Sequence, residues 1–309
     1  MQTILGAGGS IGKELAAELT RYSTRIRLVS RHPKKINETD ELLAADLQDA
    51  RAVDEAVKGS EVVYLVAGLQ YRTKTWQEQW PVIMQNVISA CISHKSKLVF
   101  FDNIYMYDPA RIGHMTEETP INPSSKKGKV RAAILEQLMT AIQSGQLTGM
   151  VVRSVDFYGP GSNASMLIET VYKNLSKGKK AFWIGNPGAI HSYTFIPDAA
   201  KATALLGNTS SAYNQVWHLP TDPRKLNGKD FVELFEKEMG SSHGYRPISK
   251  TLISIMGIFN PLMRELKEMM YQFERDYYFD SSKFRDAFPQ FHTTTYEEGI
   301  KQTIKEANG

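Results

Sequence analysis

Short apolar runs recur through the first half of the chain, and each is followed by a segment whose apolar residues return every three or four positions. Thr3-Ile4-Leu5 leads into a helical pattern from Ile11 to Thr20. Ile26 to Val29 comes next, then an acidic helical pattern near Asp49 to Val57. Val62 to Val66 precedes a helix near Trp80 to His94, and Leu98 to Phe101 follows. After a loop with Pro120 and Pro123, a helix is predicted over about Val130 to Gln143, and Met150 to Arg153 closes the series. Apolar runs without alternation suit strands covered on both faces, and intervening helices make their connections crossovers. The prediction is an α/β fold with a doubly wound parallel sheet and right-handed crossovers.

The rhythm changes after residue 160. Met166 to Leu175 reads as a helix, and a basic stretch (Lys177, Lys179, Lys180) precedes Phe182-Trp183-Ile184. Phe195-Ile196-Pro197 with a helix from Asp198 to Leu206 reads as a return to the main domain, and Val216 to Leu219 as a further strand. The rest is mostly helical, with a Met-rich region from Ile253 to Tyr271. The expected division is a dinucleotide domain over 1–160, rejoined by 190–215, and a smaller, mostly helical substrate or lid subdomain over 161–189 and 216–309. No repeat or low-complexity segment interrupts this plan.

Composition narrows the classes. Apolar residues are 42% and charged residues 23%, which suits a packed core rather than a disordered chain. A net charge of +4 is too small and too scattered for a nucleic-acid footprint. No apolar stretch approaches the roughly 18 residues of a membrane span, so no membrane partner is expected. The single cysteine, Cys91, has no internal partner, and Met1-Gln2-Thr3 run straight into a strand without a leader pattern. A cytoplasmic setting is therefore expected.

The first chemical signal is Gly6-Ala7-Gly8-Gly9-Ser10-Ile11-Gly12, between the first strand and the first helix. Glycines at 6, 9 and 12 allow a tight strand-to-helix turn, close approach of backbone to a diphosphate, and close helix–strand packing. The helix start adds amide donors and a partial positive charge. The context on both sides makes this a Rossmann-type dinucleotide cradle rather than a plain glycine turn. The second strand ends in Ser30-Arg31-His32, with Lys34 and Lys35 behind. An NAD site usually has an acidic residue here for the ribose 2′-hydroxyl. A guanidinium instead pairs with a 2′-phosphate, so NADP is expected ahead of NAD. Lys34 and Lys35 read as a solvated basic turn.

Further residues resemble the extended short-chain dehydrogenases, the NAD(P)-dependent epimerase/dehydratase group. Ala45-Asp46-Leu47 is similar to that family's Gly-Asp-Leu at the adenine, and Val66-Ala67-Gly68 to the turn where its fourth strand passes under the cofactor. Arg153 to Gly161, His191 to Asp198, and Phe279 to Lys283 followed by Tyr296 to Ile300 resemble further family segments in the same order. The resemblance implies a cofactor site built from Gly6, Gly9, Ser10, Ile11, Gly12, Ser30, Arg31, Asp46, Leu47, Val66, Ala67 and Gly68.

It breaks at the family's catalytic Ser/Thr and Tyr-x-x-x-Lys. Asn103 stands at the Ser/Thr position, Lys127 at the Tyr and Arg131 at the Lys. The chain thus resembles the atypical branch that keeps the fold and loses the standard triad. Asn103 can hydrogen-bond a carbonyl but cannot shuttle protons, and Arg131 can hold ribose hydroxyls or phosphate. The Lys127 ammonium is one candidate proton donor. Tyr105, Tyr107, Tyr158 and Tyr193 are others. Tyr158 is the best placed of the four, after the sixth strand, unless it is simply a packed tyrosine in a Tyr-Gly-Pro turn.

Asp156 bonds substrate or braces that turn. His191 and His218 read as structural, and Arg275 as a surface residue that could reach an anionic substrate group. Met256, Met263, Met269 and Met270 serve core packing, a dimer face or an adaptable apolar pocket. No metal-ligand spacing and no Gly-x-Ser-x-Gly elbow is present.

The sequence therefore predicts an NAD(P)-dependent oxidoreductase or epimerase-type enzyme for a small carbonyl or hydroxyl compound. Its rival is an NADP-binding redox sensor without turnover. A homodimer is left open.

Overall fold

The computed structural model describes residues 1–162 and 165–307. In chain order its elements begin β1 (Gln2–Leu5), α1 (Ser10–Leu19), β2 (Ile26–Ser30), β3 (Glu41–Ala44), α2 (Ala50–Val57), β4 (Val62–Leu65) and α3 (Thr73–His94). They continue with β5 (Lys97–Asp102), α4 (Lys126–Gln143), β6 (Gly149–Arg153), β7 (Asp156–Tyr158), a π-helical stretch Leu167–Tyr172 running into α5 (Lys173–Leu175), β8 (Ala181–Ile184) and β9 (Tyr193–Phe195). The last are α6 (Ile196–Gly207), β10 (Val216–His218), α7 (Gly228–Met239), β11 (Tyr245–Ile248), α8 (Lys250–Phe259), α9 (Pro261–Lys267), α10 (Ser282–Ala287) and α11 (Tyr296–Ala307).

These elements form two compact units. The first comprises residues 1–106, 127–154 and 199–219. Its seven parallel strands run in the order β10-β6-β5-β4-β1-β2-β3, a doubly wound, Rossmann-type sheet. The chain leaves β1 toward β2 and β3, then returns to β4 on the other side of β1. That reversal opens a crevice at the carboxyl ends of β1 and β4, where α/β proteins of this topology bind ligands. β1 and β4 are buried along their whole length, as continuous apolar strands should be. The Tyr64 hydroxyl on β4 donates to Gln2 Oε1 at 2.9 Å and accepts from the exposed Asn208 Nδ2 at 3.2 Å, so the buried hydroxyl is satisfied. Cys91 on α3 is buried, and burial pushes its thiol pKa up.

The second unit comprises residues 107–126, 155–198 and 220 onward. It carries two small parallel pairs, β7 with β9 and β8 with β11. Its core gathers Tyr158, Val171, Trp183, Phe231, Tyr296 and Ile300.

Several boundaries differ from the sequence expectation. Residues 216–219 were expected in the subdomain, but Val216–His218 pairs with β6 as the seventh strand of the large sheet. Residues 107–126, 155–160 and 190–198 fall in the second unit rather than the first. β3 was not anticipated, because an edge strand with mostly exposed residues shows no apolar run. α3 starts at Thr73, well before the expected Trp80. Pro81 lies inside the helix.

Candidate dinucleotide site

The turn after β1 is fixed by its own backbone. Gly6 and Ala7 both donate N–H to the Val29 carbonyl, at 2.9 and 3.1 Å, which ties the turn to β2. Gly6 has φ +96°, and a Cβ there would lie 2.4 Å from Ala67 Cα. A Cβ on Gly12 would lie 2.7 Å from Ala7 Cα. These two glycines are required by strand and helix packing alone. Gly8 and Gly9 differ. A Cβ on Gly8 meets nothing nearer than Ser30 Oγ at 3.9 Å, and one on Gly9 only the Gly6 carbonyl oxygen at 3.9 Å. Packing among the described residues does not require glycine at either position. Gly9 is the N-cap of α1, and no side chain caps that helix. The result is a concave bend of backbone at a helix start, the arrangement that receives phosphate.

The bend forms one wall of a cleft of about 640 Å³, within the range of small-molecule sites. Ser30, Arg31 and His32 at the end of β2 form another part, and Ala45 to Gln48 after β3 a third. Ala67 to Gln70 after β4 and Thr75, Gln79 and Ile83 on α3 complete it. The Ser30 hydroxyl is buried and has no hydrogen-bond partner among the described residues. Arg31 and His32 are exposed, and no carboxylate stands among these three residues ending β2. The residues present therefore fit a dinucleotide: open glycines for a diphosphate, an unused hydroxyl and two nitrogen-bearing side chains beside it.

Of the cofactor residues expected from sequence, Gly6, Gly9, Ser30, Arg31, Asp46, Leu47, Ala67 and Gly68 line this cleft. Ser10, Ile11, Gly12 and Val66 do not line it; Ile11 and Gly12 are buried on the inner side of α1. Thr75, Gln79 and Ile83 were missed. Their four-residue spacing puts them on one helix face, a signal that a helix start at Thr73 would have revealed.

Lys127 and Arg131 also share one face of α4, four residues apart, and both are buried, at 0% and 3% exposure. The Lys127 ammonium donates to Thr73 Oγ1 at 3.2 Å and lies 4.5 Å from the Tyr71 ring centroid. Arg131 donates through Nε to Asp102 Oδ1 at 2.7 Å, and a terminal nitrogen donates to the same oxygen. Its guanidinium faces the rings of Trp80 and Phe100 at 4.4 and 4.9 Å. Arg131 was expected to hold ribose, but it does not line the cleft, and its guanidinium is engaged by Asp102 inside the core.

Asp102 was not singled out from sequence, although a carboxylate closing an apolar strand needs a partner. It also accepts the Asn103 N–H at 2.8 Å, and Asn103 Oδ1 accepts the Tyr105 N–H at 3.0 Å. The Asn103 side chain thus shapes the turn after β5.

Tyr158 lies in the core of the second unit, 1% exposed, with Phe195 and Tyr296 rings 5.3 and 5.8 Å away. Burial pushes its hydroxyl pKa well up. This is the packed-tyrosine arrangement rather than that of a proton donor open to substrate.

His191 Nε2 meets Asp156 Oδ2 at 2.8 Å, and its ring stacks on Tyr277 and Phe273. His218 is buried in β10. Arg275 is exposed and donates to the Pro109 carbonyl at 3.4 Å. Met269 and Met270 are buried, Met263 is half-buried and Met256 is exposed. Among the described residues no group of three or more His, Cys, Asp or Glu could hold a metal ion.

A doubly wound sheet with a glycine bend at its switch point defines the Rossmann class of dinucleotide-binding proteins. The chain belongs to the NAD dependent epimerase/dehydratase family, whose model matches residues 3–217. The resemblance seen in the sequence motifs therefore holds. Short-chain dehydrogenase/reductase family 42E member 1 of Danio rerio is 20% identical, over 88% of this chain and 76% of its own. The 3beta-hydroxysteroid-dehydrogenase/decarboxylase isoform 2 of Arabidopsis thaliana is 24% identical, over 85% of this chain but only 51% of its own. The fold is shared with the dTDP-glucose 4,6-dehydratase of Streptomyces venezuelae solved with NAD (TM-score 0.81, 14% identity, 100% of this chain and 97% of that one). It is shared also with the UDP-glucose 4-epimerase of Thermus thermophilus in complex with NAD (TM-score 0.78, 17% identity, 100% and 99%). Among the described residues no helix is long and apolar enough to cross a membrane.

Proposed function

We propose that the chain is an NADP(H)-dependent oxidoreductase of this family, acting on a small carbonyl or hydroxyl compound in the cytoplasm. The observation that carries the cofactor choice is the end of β2, where Ser30, Arg31 and His32 line the cleft without a carboxylate. The amides around Gly8 and Gly9 hold the diphosphate, Arg31 and Ser30 the 2′-phosphate, and Asp46 and Leu47 border the adenine. A nicotinamide held there would supply hydride-transfer chemistry to a substrate carbon.

This chain's own residues supply the proton and the orientation. Lys127 stands at the position of the family's tyrosine and donates to Thr73 Oγ1; it is as buried as Tyr158 and lies outside the cleft lining, so it delivers a proton only when substrate binding opens that contact. Asn103 stands where a hydroxyl residue would orient substrate. Arg131 acts as a positioning residue: its bond to Asp102 locks the face of α4 that carries Lys127.

One observation favours a second reading, a sensor that binds NADP and turns nothing over. α4 carries no tyrosine on its buried face, and its arginine is committed to Asp102. Calorimetric titration with NADPH and NADH, followed by a carbonyl panel, separates the possibilities. The expected result is tighter NADPH binding, a preference lost in Arg31→Asp, and oxidation of NADPH by at least one carbonyl. An unchanged preference in Arg31→Asp removes the NADP assignment. Stoichiometric binding with no oxidation across the panel selects the sensor.

A further inference from the structure

A surface helix normally turns one apolar face inward and a polar face outward. α8 does not. Its inner face, Ile253 and Gly257, is buried, with Ile253 joining Ile184, Met270 and Phe273 in a small core. Its outer face carries Leu252, Ile255, Met256 and Phe259, which follow the i, i+3, i+4, i+7 spacing of a helix stripe, and all four are exposed. Ile258 (67% exposed), Phe259 (86%) and Leu262 extend this stripe over the turn into α9. Half of the exposed large apolar side chains among the described residues fall in this one hairpin. A continuous patch of this kind marks an interaction surface.

The charges around it state what the surface meets. Lys250, Arg264 and Lys267 are exposed on the hairpin and Arg246 on β11 just before it, whereas Glu265 and Glu268 are half-buried and Glu274, after α9, is exposed. The Glu268 carboxylate is occupied by the Lys126 N–H at 2.9 Å, and Lys250 has only a 3.9 Å approach to Glu274. An apolar tip with a basic collar is complementary to an anionic bilayer surface: side chains enter the acyl boundary while the collar meets headgroups. A second copy docked symmetrically on the same patch would bring its four cations toward those of the first, which opposes that occupant. Neither helix is long enough to span, so insertion is shallow.

We propose that the α8–α9 hairpin is a monotopic membrane anchor that docks this protein on anionic lipid. This goes beyond the sequence expectation of no membrane partner, which addressed spanning segments only, and it is independent of the nucleotide reading. The test is co-sedimentation of the full chain with phosphatidylcholine vesicles, with and without phosphatidylglycerol.

The wild type pellets with the mixed vesicles and stays in the supernatant with phosphatidylcholine alone. Ile258→Asp with Phe259→Asp loses about 100-fold in partitioning, and each shoulder cation neutralised (Lys250→Gln, Arg264→Gln, Lys267→Gln) costs about fivefold on the anionic vesicles. These side chains are exposed, so circular dichroism and NADPH binding of the variants match the wild type. In Phe259→Trp the emission shifts to the blue on adding mixed vesicles only. A wild type that remains soluble with both vesicles overturns the proposal. So does a double aspartate variant that still pellets, or a concentration-dependent dimer in sedimentation velocity that Phe259→Asp abolishes.

Discussion

Replacing Gly9 by alanine separates the ligand-binding part of the glycine bend from its folding part. Gly9 has φ −82° and ψ 168°, which alanine adopts without strain, and its new Cβ meets no atom closer than 3.9 Å. The unfolded chain loses freedom, a gain of about 0.4–1 kcal/mol, and the poorer N-cap costs a similar amount. The melting temperature should stay within about 4 °C. On the proposed dinucleotide reading, however, the methyl group enters the space of the diphosphate. Losing one charge-assisted hydrogen bond to it is worth about 1.5–3 kcal/mol, or about 10- to 150-fold in Kd for NADPH. Gly12→Ala is the control. Its Cβ would sit 2.7 Å from Ala7 Cα and 2.9 Å from Ala7 C and O, all backbone atoms, so it costs about 1–3 kcal/mol of stability. Calorimetry for binding and a thermal melt for stability read both quantities. If Gly9→Ala binds NADPH as the wild type does, the open bend is not a phosphate cradle and the cofactor assignment fails with it.

Three other outcomes are expected. Arg131→Met leaves the Asp102 carboxylate buried without its cation and should cost about 3–5 kcal/mol in urea unfolding, most of it recovered in Asp102→Leu with Arg131→Met; a cost below about 1 kcal/mol would mean the pair is not structural. Turnover should fall at least about 100-fold in Lys127→Met and stay within about threefold in Tyr158→Phe; the reverse order would make the buried tyrosine the acid. Arg224 donates to Glu297 at 2.8 Å and holds that carboxyl below its ordinary pKa. Such a group adds stability above the ordinary carboxylate range that disappears as pH falls through the lowered value, so between about pH 5 and 3 the melting temperature of the wild type should drop more steeply than that of Glu297→Gln. Parallel curves would show that this pair, which is largely exposed, contributes nothing.

Features carried by local spacing were legible in the sequence, and those carried by long-range packing were not. The sheet could be read because β1, β4 and β5 are continuous apolar runs, and the cradle because three glycines sit between a strand and a helix. β3 escaped because an edge strand needs no apolar run. The α3 wall of the cleft escaped because the helical pattern reads only from Trp80, whereas the helix begins at Thr73. The partnership of Asp102 with Arg131 spans 29 positions, and only the docking of α4 beside β5 brings it together. Tyr158 was attractive from its place after the sixth strand, yet its neighbours Phe195, Tyr296 and Gly299 lie 37 to 141 positions away and enclose it. Loss of the family's tyrosine was visible, while the aromatic surroundings of its replacement were not.

The sealed thiol on α3 gives the molecule an internal clock. A colourless disulfide reagent cannot reach Cys91 until the helix lifts off the sheet, and the thiol's raised pKa slows any chance encounter. The rate of colour development in native buffer therefore counts opening events, with no introduced dye or engineered cysteine. Ligands that grip the closed form must slow that clock in proportion to their occupancy, so screening for what the protein holds requires only a stopwatch and a spectrophotometer.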